Sequence, residues 1–367
     1  METTIRTSEP RELLALIPYQ LGFVPTQSAV VVSLRRARSR VGLVARVDLD
    51  DLVDVDRGPQ VARSLVGHLV ADGARAAVLV LYTDADLQAD PRAGRTAQEN
   101  LAVAAEHFLG VPDCWVVTPR GYHGLDCTDD RCCPPGGRPL ADLQATQVGA
   151  HMVLTGVQVV ASRAELVRTD AAPAAARRSA RRAAARWRAH LEGAEGSAAL
   201  HRWRRESLAL WREELERVAG ARLPDPNRIG RLQAALADVL VRDAAMLGFV
   251  EGSERLADRV VAGYGGPDVS RALRVIIDPV DGAAPDAGRA ATSRALLGEV
   301  VAHSAPRLQA PALTLLAVLA WWAGDGARAG LLVERALAAE PGYRLAELLD
   351  QTLTAGMPPG WLRARGA

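Results

Sequence analysis

Two short apolar runs constrain the fold of the first part of this chain more than any other feature. Residues 28–34 (SAVVVSL) and 76–82 (AAVLVLY) have the length of strands and carry apolar residues on both faces. Such strands are typical of a sheet that is covered by helices. Segments 59–71 and 97–109 are predicted as helices of this kind. The alternation of strands and helices predicts an α/β domain.

We predict that this first domain spans residues 1–165. It contains a Cys/Pro/Gly-rich segment, residues 126–139, which we call the cysteine loop. The further predicted elements are a helix at 10–17 that Pro18 ends, a strand at 42–49, a hairpin formed by 114–118 and 122–125, and a strand at 152–160.

From residue 174 onward the pattern is helical, so residues 166–367 are predicted to form an all-α domain. Its last segment fits a tetratricopeptide unit when Pro341 is placed at position 32, with Gly324 and Asp325 in the turn between the two helices. Only one unit is recognisable, whereas a solenoid needs about three. We therefore predict a tetratricopeptide-like helical hairpin over 311–355, with a third helix packed on it. The residues at its packing positions are Leu313, Leu316, Ala317, Ala320, Ala329, Val333 and Ala336.

The composition excludes several mechanisms, because all 44 basic residues are arginine. A chain without lysine has no Schiff-base or pyridoxal anchor, no lysine general base and no P-loop lysine. No G-x-S-x-G, HExxH or GxGxxG motif that follows a strand is present either. The sequence therefore contains no motif that identifies a reaction.

Charge and hydropathy also limit the partners and the location. The formal net charge of +1 argues against nucleic acid and against an anionic membrane as partners. The longest apolar stretch, 312–323, is shorter than the roughly 20 residues that a membrane span needs. The first residues lack the pattern of a secretory signal. We expect a cytoplasmic protein with reduced cysteines.

The cysteine loop and the residues before it hold one candidate metal site. His123, Cys127, Cys132 and Cys133 supply an imidazole and three thiols, which is a ligand set that suits tetrahedral zinc. The spacing is not CxxC, and adjacent cysteines rarely bind the same ion without strain. The alternative is a tight, partly buried turn with free thiols.

A second candidate site lies at the predicted strand ends. Asp48 closes the 42–49 strand and Asp84 follows the 76–82 strand. Ligands gather at the carboxyl ends of strands in open α/β sheets, and two carboxylates there are able to hold Mg²⁺. Gly22 and Phe23 belong to a nearby loop that is a candidate lid. The alternative is that both aspartates are helix caps or turn residues.

An arginine-rich helix opens the second domain. Six arginines lie between residues 177 and 188, interleaved with alanine. Phosphate binding is one interpretation of such a run, but a solvated or inter-domain helix is the more common one. The arginines are Arg177, Arg178, Arg181, Arg182, Arg186 and Arg188.

Several segments together resemble one family. Near the start they are LALIPY (14–19), LGFVP (21–25), RVDL (46–49) and YTD (82–84). The cysteine loop contributes CCPP (132–135) and the start of GRPL (137–140). Near the end they are AGDGA (323–327) and YRLA (343–346). This combination is similar to the domain of unknown function 4192 family of high-GC Gram-positive bacteria. The resemblance covers nearly the whole chain. It implies a cytoplasmic protein whose two parts belong together, and it implies no particular chemistry.

Two hypotheses about function follow from these observations. The first is a non-catalytic adaptor whose helical domain binds a protein or peptide, and it rests on the tetratricopeptide-like hairpin. The second is a small-ligand sensor or a metal-dependent enzyme that uses the α/β domain, and it rests on the aspartates and the cysteine loop. The sequence favours the first modestly, because every strong catalytic motif is missing.

Overall fold

Five strands form one mixed sheet in the first part of the chain. The computed structural model describes residues 9–35, 40–192, 197–222, 224–278 and 280–362. The chain divides into two compact units, a first unit of residues 1–166 and a second unit of residues 167–367. All strands of the described ranges belong to the first unit, and the second is helical. The predicted fold class, an α/β domain followed by an all-α domain, is confirmed.

The sheet has the order β2-β1-β3-β4-β5. β1 is antiparallel to both of its neighbours, β3 and β4 are parallel, and β5 returns as a hairpin beside β4. The strands are β1 (Ser28–Arg35), β2 (Arg40–Asp48), β3 (Ala74–Tyr82), β4 (Asp113–Val117) and β5 (Tyr122–Gly124). The predicted 114–118/122–125 hairpin is therefore confirmed.

Helices cover the sheet as the apolar runs require. α3 and α4 pack on one face, where Val31 and Leu79 of the central strands meet Leu65 and Leu101 of the helices in a single buried core. The helices of the first unit are α1 (Pro10–Leu21), α2 (Leu49–Val53), α3 (Gly58–Ala71), α4 (Arg92–Ala105), α5 (Ala141–Gln144) and α6 (Gln147–Leu154).

The prediction that Pro18 ends the first helix is wrong. α1 continues to Leu21, and Gly22 ends it with a positive φ of 78° while its N–H donates to the Pro18 carbonyl. A proline removes one backbone hydrogen bond from the helix. Ile17 and Leu21 are buried on either side of it, and their burial stabilises the last turn.

The predicted strand at 152–160 is also wrong. Residues 147–154 form α6, and only Val160 makes a β-bridge, with Phe23. The Glu12 carboxylate accepts hydrogen bonds from Gln147 N (3.1 Å) and Val148 N (3.0 Å) at the start of this helix. A carboxylate at a helix N-terminus satisfies free N–H groups and interacts favourably with the helix dipole.

Most of the described part of the second unit consists of ten α-helices, and none of them has the combination of length and apolarity that a membrane span requires. They are α7 (Ala174–Glu192), α8 (Ser197–Ala219), α9 (Pro226–Ala235), α10 (Val239–Leu247), α11 (Glu254–Val261), α12 (Pro267–Ile277), α13 (Ala287–His303), α14 (Ala310–Trp322), α15 (Gly326–Ala339) and α16 (Arg344–Thr354).

The last three helices pack together. Every residue of α14 is buried. On α15 the small residues Ala329 and Ala336 have no exposed surface, nor has Val333 between them. α16 packs against both helices. The tetratricopeptide assignment of this hairpin stays a prediction.

Candidate functional site

A small polar crevice lies at the carboxyl ends of β3 and β4. These strands are parallel neighbours, so their carboxyl ends lie at the same edge of the sheet, which is the edge where α/β proteins bind ligands. Asp84 and Asp86 follow β3, Thr118 follows β4, Arg120 lies in the β4–β5 turn, and His123 is the middle residue of β5. All five side chains line the crevice.

The crevice has room for one species of the size of a water molecule. Its volume is about 10 Å³, which is close to the minimum that a single water needs. An organic ligand does not fit within this volume.

His123 is the most unusual residue of the crevice. It is 4% exposed, and neither of its ring nitrogens has a hydrogen-bond partner among the residues that the structure describes. Burial lowers the pKa of the imidazole, and the nearby Asp86 carboxylate opposes that shift. The ring is therefore neutral near neutral pH, with one nitrogen able to accept and one able to donate a hydrogen bond.

Asp48 does not line this crevice. β1 lies between β2 and β3, so the strands that precede Asp48 and Asp84 are not neighbours in the sheet. The Asp48 carboxylate pairs with the Arg46 guanidinium at 2.5 Å, and Arg46 also donates to the Ser28 hydroxyl at 2.8 Å. The structure groups Asp84 with Asp86 and His123 instead.

The predicted lid residues are also away from the crevice. Phe23 is 3% exposed. On its two sides, Val24 N donates to the Val160 carbonyl at 3.1 Å and Val160 N donates to the Gly22 carbonyl at 3.0 Å. These contacts fix the Gly22–Phe23 segment in place.

Three of the four predicted zinc ligands come together. The Sγ atoms of Cys127, Cys132 and Cys133 lie within 4.8 Å of one another. Sulfur atoms around tetrahedral zinc are about 3.8 Å apart, given a Zn–S distance of about 2.3 Å. The ring nitrogens of His123 are not part of this group, although the residue lies on the strand that leads into the cysteine loop.

The backbone of the cysteine loop accounts for the grouping. Cys132 N and Cys133 N both donate to the Asp129 carbonyl, at 2.9 and 2.7 Å, which forms a tight turn. Gly137 has a φ of 84°, and a Cβ there would lie 2.9 Å from the Tyr122 nitrogen. Glycine is therefore required where the loop returns to β5.

Hydrogen-bond donors surround the thiols. Gly124 N lies 3.4 Å from the Cys133 Sγ, and Arg138 Nη2 lies 3.4 Å from the Cys132 Sγ. A backbone hydrogen bond from Asp129 lowers the pKa of Cys127. Burial raises the pKa of the Cys133 thiol to about 11. Donors of this kind stabilise thiolates and are typical of the groups that surround the ligands of metal sites.

The cysteine loop also forms a wall of the crevice. Gln88 donates to the Pro134 carbonyl at 3.2 Å and accepts from Gly136 N at 2.7 Å, and both Gln88 and Gly136 line the crevice. The position of the loop therefore determines the shape of the crevice around His123.

The model of the family described as Domain of unknown function (DUF4192) matches residues 10–276 and 280–360, which include the crevice and the cysteine loop. The chain belongs to the DUF4192 family. The resemblance seen in the sequence is thus confirmed. No curated protein and no solved structure matches this DUF4192 chain.

Sequence reasoning about this DUF4192 member missed two features. The isolation of His123 from the cysteines depends on its position within β5, which the spacing alone does not show. The second feature is a groove in the second unit that several arginines of α7 line. The sequence contains one signal of this groove. Arg181 and Arg188 follow Arg177 by four and eleven residues, a spacing that places all three side chains on one side of a helix.

Proposed function

We propose that the first unit is a metal-binding domain, in which Cys127, Cys132 and Cys133 bind one Zn²⁺ as thiolates. The observation that carries this proposal is the approach of all three Sγ atoms to within 4.8 Å of one another. Zinc is favoured because it prefers thiolate ligands at these spacings. The group offers three protein ligands, so a water molecule or another donor would complete a tetrahedral shell.

The role of the ion would be to hold the cysteine loop against the crevice. Gln88 joins the loop to the crevice through two hydrogen bonds. Binding free energy at a site that the unfolded chain lacks is also folding free energy. Zinc would therefore stabilise the first unit and maintain the shape of the crevice that His123 and Asp86 line.

Metal content after purification without chelator tests this proposal. Wild-type protein should carry close to one equivalent of zinc by elemental analysis, and Cys132→Ser should remove most of it. Cys114→Ala is a matched control, because Cys114 is buried in β4 and does not belong to the cysteine group. It should retain the metal. His123→Ala should also retain the metal, since His123 lies outside the group.

Substitution with Co²⁺ supplies an independent measurement. Wild-type protein should give a thiolate-to-cobalt charge-transfer band that Cys132→Ser weakens and His123→Ala leaves in place. Protein that holds no zinc and gives no such band on titration would contradict the proposal. So would an intact mass that is lower by two hydrogens, since two of the thiols would then form a disulfide.

The adaptor role of the helical unit remains a separate prediction. The region that suggested it consists of three packed helices, but of the large apolar residues that the described part of this unit exposes, only Leu348 lies on these helices. Val239, Ile277 and Leu348 belong to α10, α12 and α16. The contacts of the first unit support metal binding more directly.

A further inference from the structure

A groove of about 450 Å³ lies within the second unit. Its walls come from α7, from α9 and from residues 303–308, where α13 ends and the chain turns toward α14. The volume falls in the range of about 300–1,000 Å³ that small-molecule sites occupy. This arginine groove is thus much larger than the crevice of the first unit.

Five arginines line the groove, and no acidic residue lines it among the residues described. None of the five forms an ion pair within the described part of the chain. Arg177 donates from Nε to the Ala172 carbonyl at 3.0 Å, which fixes the stem of its side chain. The arginines are Arg177, Arg178, Arg181, Arg188 and Arg307.

The packing of α7 determines which arginines face the groove. Gly230 of α9 lies so close to α7 that a Cβ there would be 2.0 Å from the Ala180 carbonyl. Trp187, farther along α7, stacks on Trp203 and donates from Nε1 to the Ser207 hydroxyl at 3.1 Å. These contacts fix the rotation of the helix. Arg177, Arg181 and Arg188 then lie on one side of it, within about 40° of one another.

A buried polar side chain lines the same groove. Gln233 of α9 is 8% exposed, and its amide has no hydrogen-bond partner among the described residues. Its amide atoms keep some access to solvent in the groove, so they are free to exchange hydrogen bonds to water for hydrogen bonds to a ligand. A ligand in the groove that offers both donor and acceptor atoms would satisfy it.

We propose that the arginine groove binds a small anion that carries two or more linked phosphate groups. Guanidinium groups match phosphate oxygens with pairs of parallel hydrogen bonds, and arginine keeps its charge at every physiological pH. Several guanidinium groups without an ion-pair partner around one concavity favour a ligand that carries several negative charges in a small volume. Linked phosphates supply that charge density. Their source is either an inorganic polyphosphate or the phosphate chain of a nucleotide.

Two features favour a small anion over a nucleic acid. The formal net charge of the chain is +1, which gives little long-range attraction to a polyanionic helix. No Phe, Tyr or Trp side chain lines the groove among the described residues, and His303 is almost fully buried, so bases would have little surface to stack on there.

Calorimetric titration of the full-length protein tests this inference with two probes, inorganic triphosphate and ATP. Arg181→Gln should weaken binding of both by about tenfold or more, because it removes charge-assisted hydrogen bonds. Arg182→Gln is the matched control, since Arg182 is exposed on the same helix and does not line the groove. It should leave the affinity nearly unchanged. Gln233→Leu should weaken binding without a change of charge.

The two probes also distinguish the sources of phosphate. Equal affinity for both indicates that the groove recognises the phosphate chain alone, and tighter binding of ATP indicates a nucleotide. Absence of binding by either probe, or equal losses in Arg181→Gln and Arg182→Gln, would overturn the proposal. So would tighter binding of duplex DNA, of RNA or of an acidic peptide than of either probe.

Discussion

Asp72 illustrates how much of the first unit depends on single polar side chains. It follows α3 at the edge of the sheet opposite the crevice, and its side chain is 15% exposed. The carboxylate accepts hydrogen bonds from the Ser33 hydroxyl at 2.7 Å and from Leu43 N at 2.9 Å, and it forms an ion pair with Arg35. One carboxylate therefore joins β1 and β2 to the end of α3.

Asp72→Ala should lower the free energy of unfolding by about 2–4 kcal/mol, because it leaves a guanidinium and a backbone N–H without their partner. Chemical denaturation measures this change. Asp90→Ala is the control, since Asp90 is exposed and its carboxylate contacts only Arg92 among the described residues. A similar midpoint for both variants would show that the Asp72 contacts contribute little.

At the scale of elements, the C-terminal hairpin depends on small residues. α14 and α15 pack closely, and Ala329 of α15 has no exposed surface. A larger side chain at that position has to displace α14 or adopt a strained rotamer.

Ala329→Leu should overpack this contact and cost about 1–3 kcal/mol of stability. Ala338→Leu introduces the same side chain at an exposed position of α15 and should change stability little. Thermal unfolding of the two variants gives the comparison. A melting temperature of Ala329→Leu equal to that of Ala338→Leu would reject the packing described above.

The sequence predicts individual strands and helices better than it predicts which of them pair or pack together. The apolar runs at 28–34 and 76–82 identify β1 and β3, because a strand buried on both faces needs apolar residues throughout. The end of α6 was predicted as a strand because its apolar residues 152–154 continue into further apolar residues, while the start of the helix is fixed by Thr146 and by the Glu12 carboxylate, 135 positions earlier in the chain. The order of the strands depends on similar distant contacts, and local patterns contain no information about them.

For the candidate sites too, the sequence predicts groups of residues that are close in the chain and misses groups that form between distant segments. The three cysteines were identified as a group from their proximity in the loop, and the structure brings their sulfur atoms together. Asp48 and Asp84 looked equivalent because each follows a strand, yet only the strand order shows that β1 separates those strands. The arginine groove depends on α7, α9 and residues 303–308 together, so no single segment revealed it.

At the scale of the whole molecule, each compact unit has its own buried core. The residues of the sheet core all belong to the first unit, and the apolar residues of the C-terminal hairpin all belong to the second. Chains built from separate cores commonly unfold in more than one transition. The proposed zinc would act on only one of these transitions, since its ligands all lie in the first unit.

Differential scanning calorimetry should therefore resolve two transitions, of which a chelator lowers only one. Cys132→Ser should lower the same transition and leave the other unchanged, because ligand binding stabilises only the unit that binds it. A single transition that moves as a whole on chelation would indicate that the two units unfold together.

The central position of β1 has a consequence for the chain as it leaves the ribosome. β2 follows β1 directly and can pair with one edge of it at once, whereas the other edge has no partner until residues 74–82 have been synthesised. During that interval the nascent chain presents an apolar strand with unpaired N–H and C=O groups, which is a template for pairing between chains. Slow translation of the segment between β2 and β3 should therefore favour aggregation or binding of chaperones. Rapid synthesis of β3 should prevent both, because β3 then pairs with the open edge of β1.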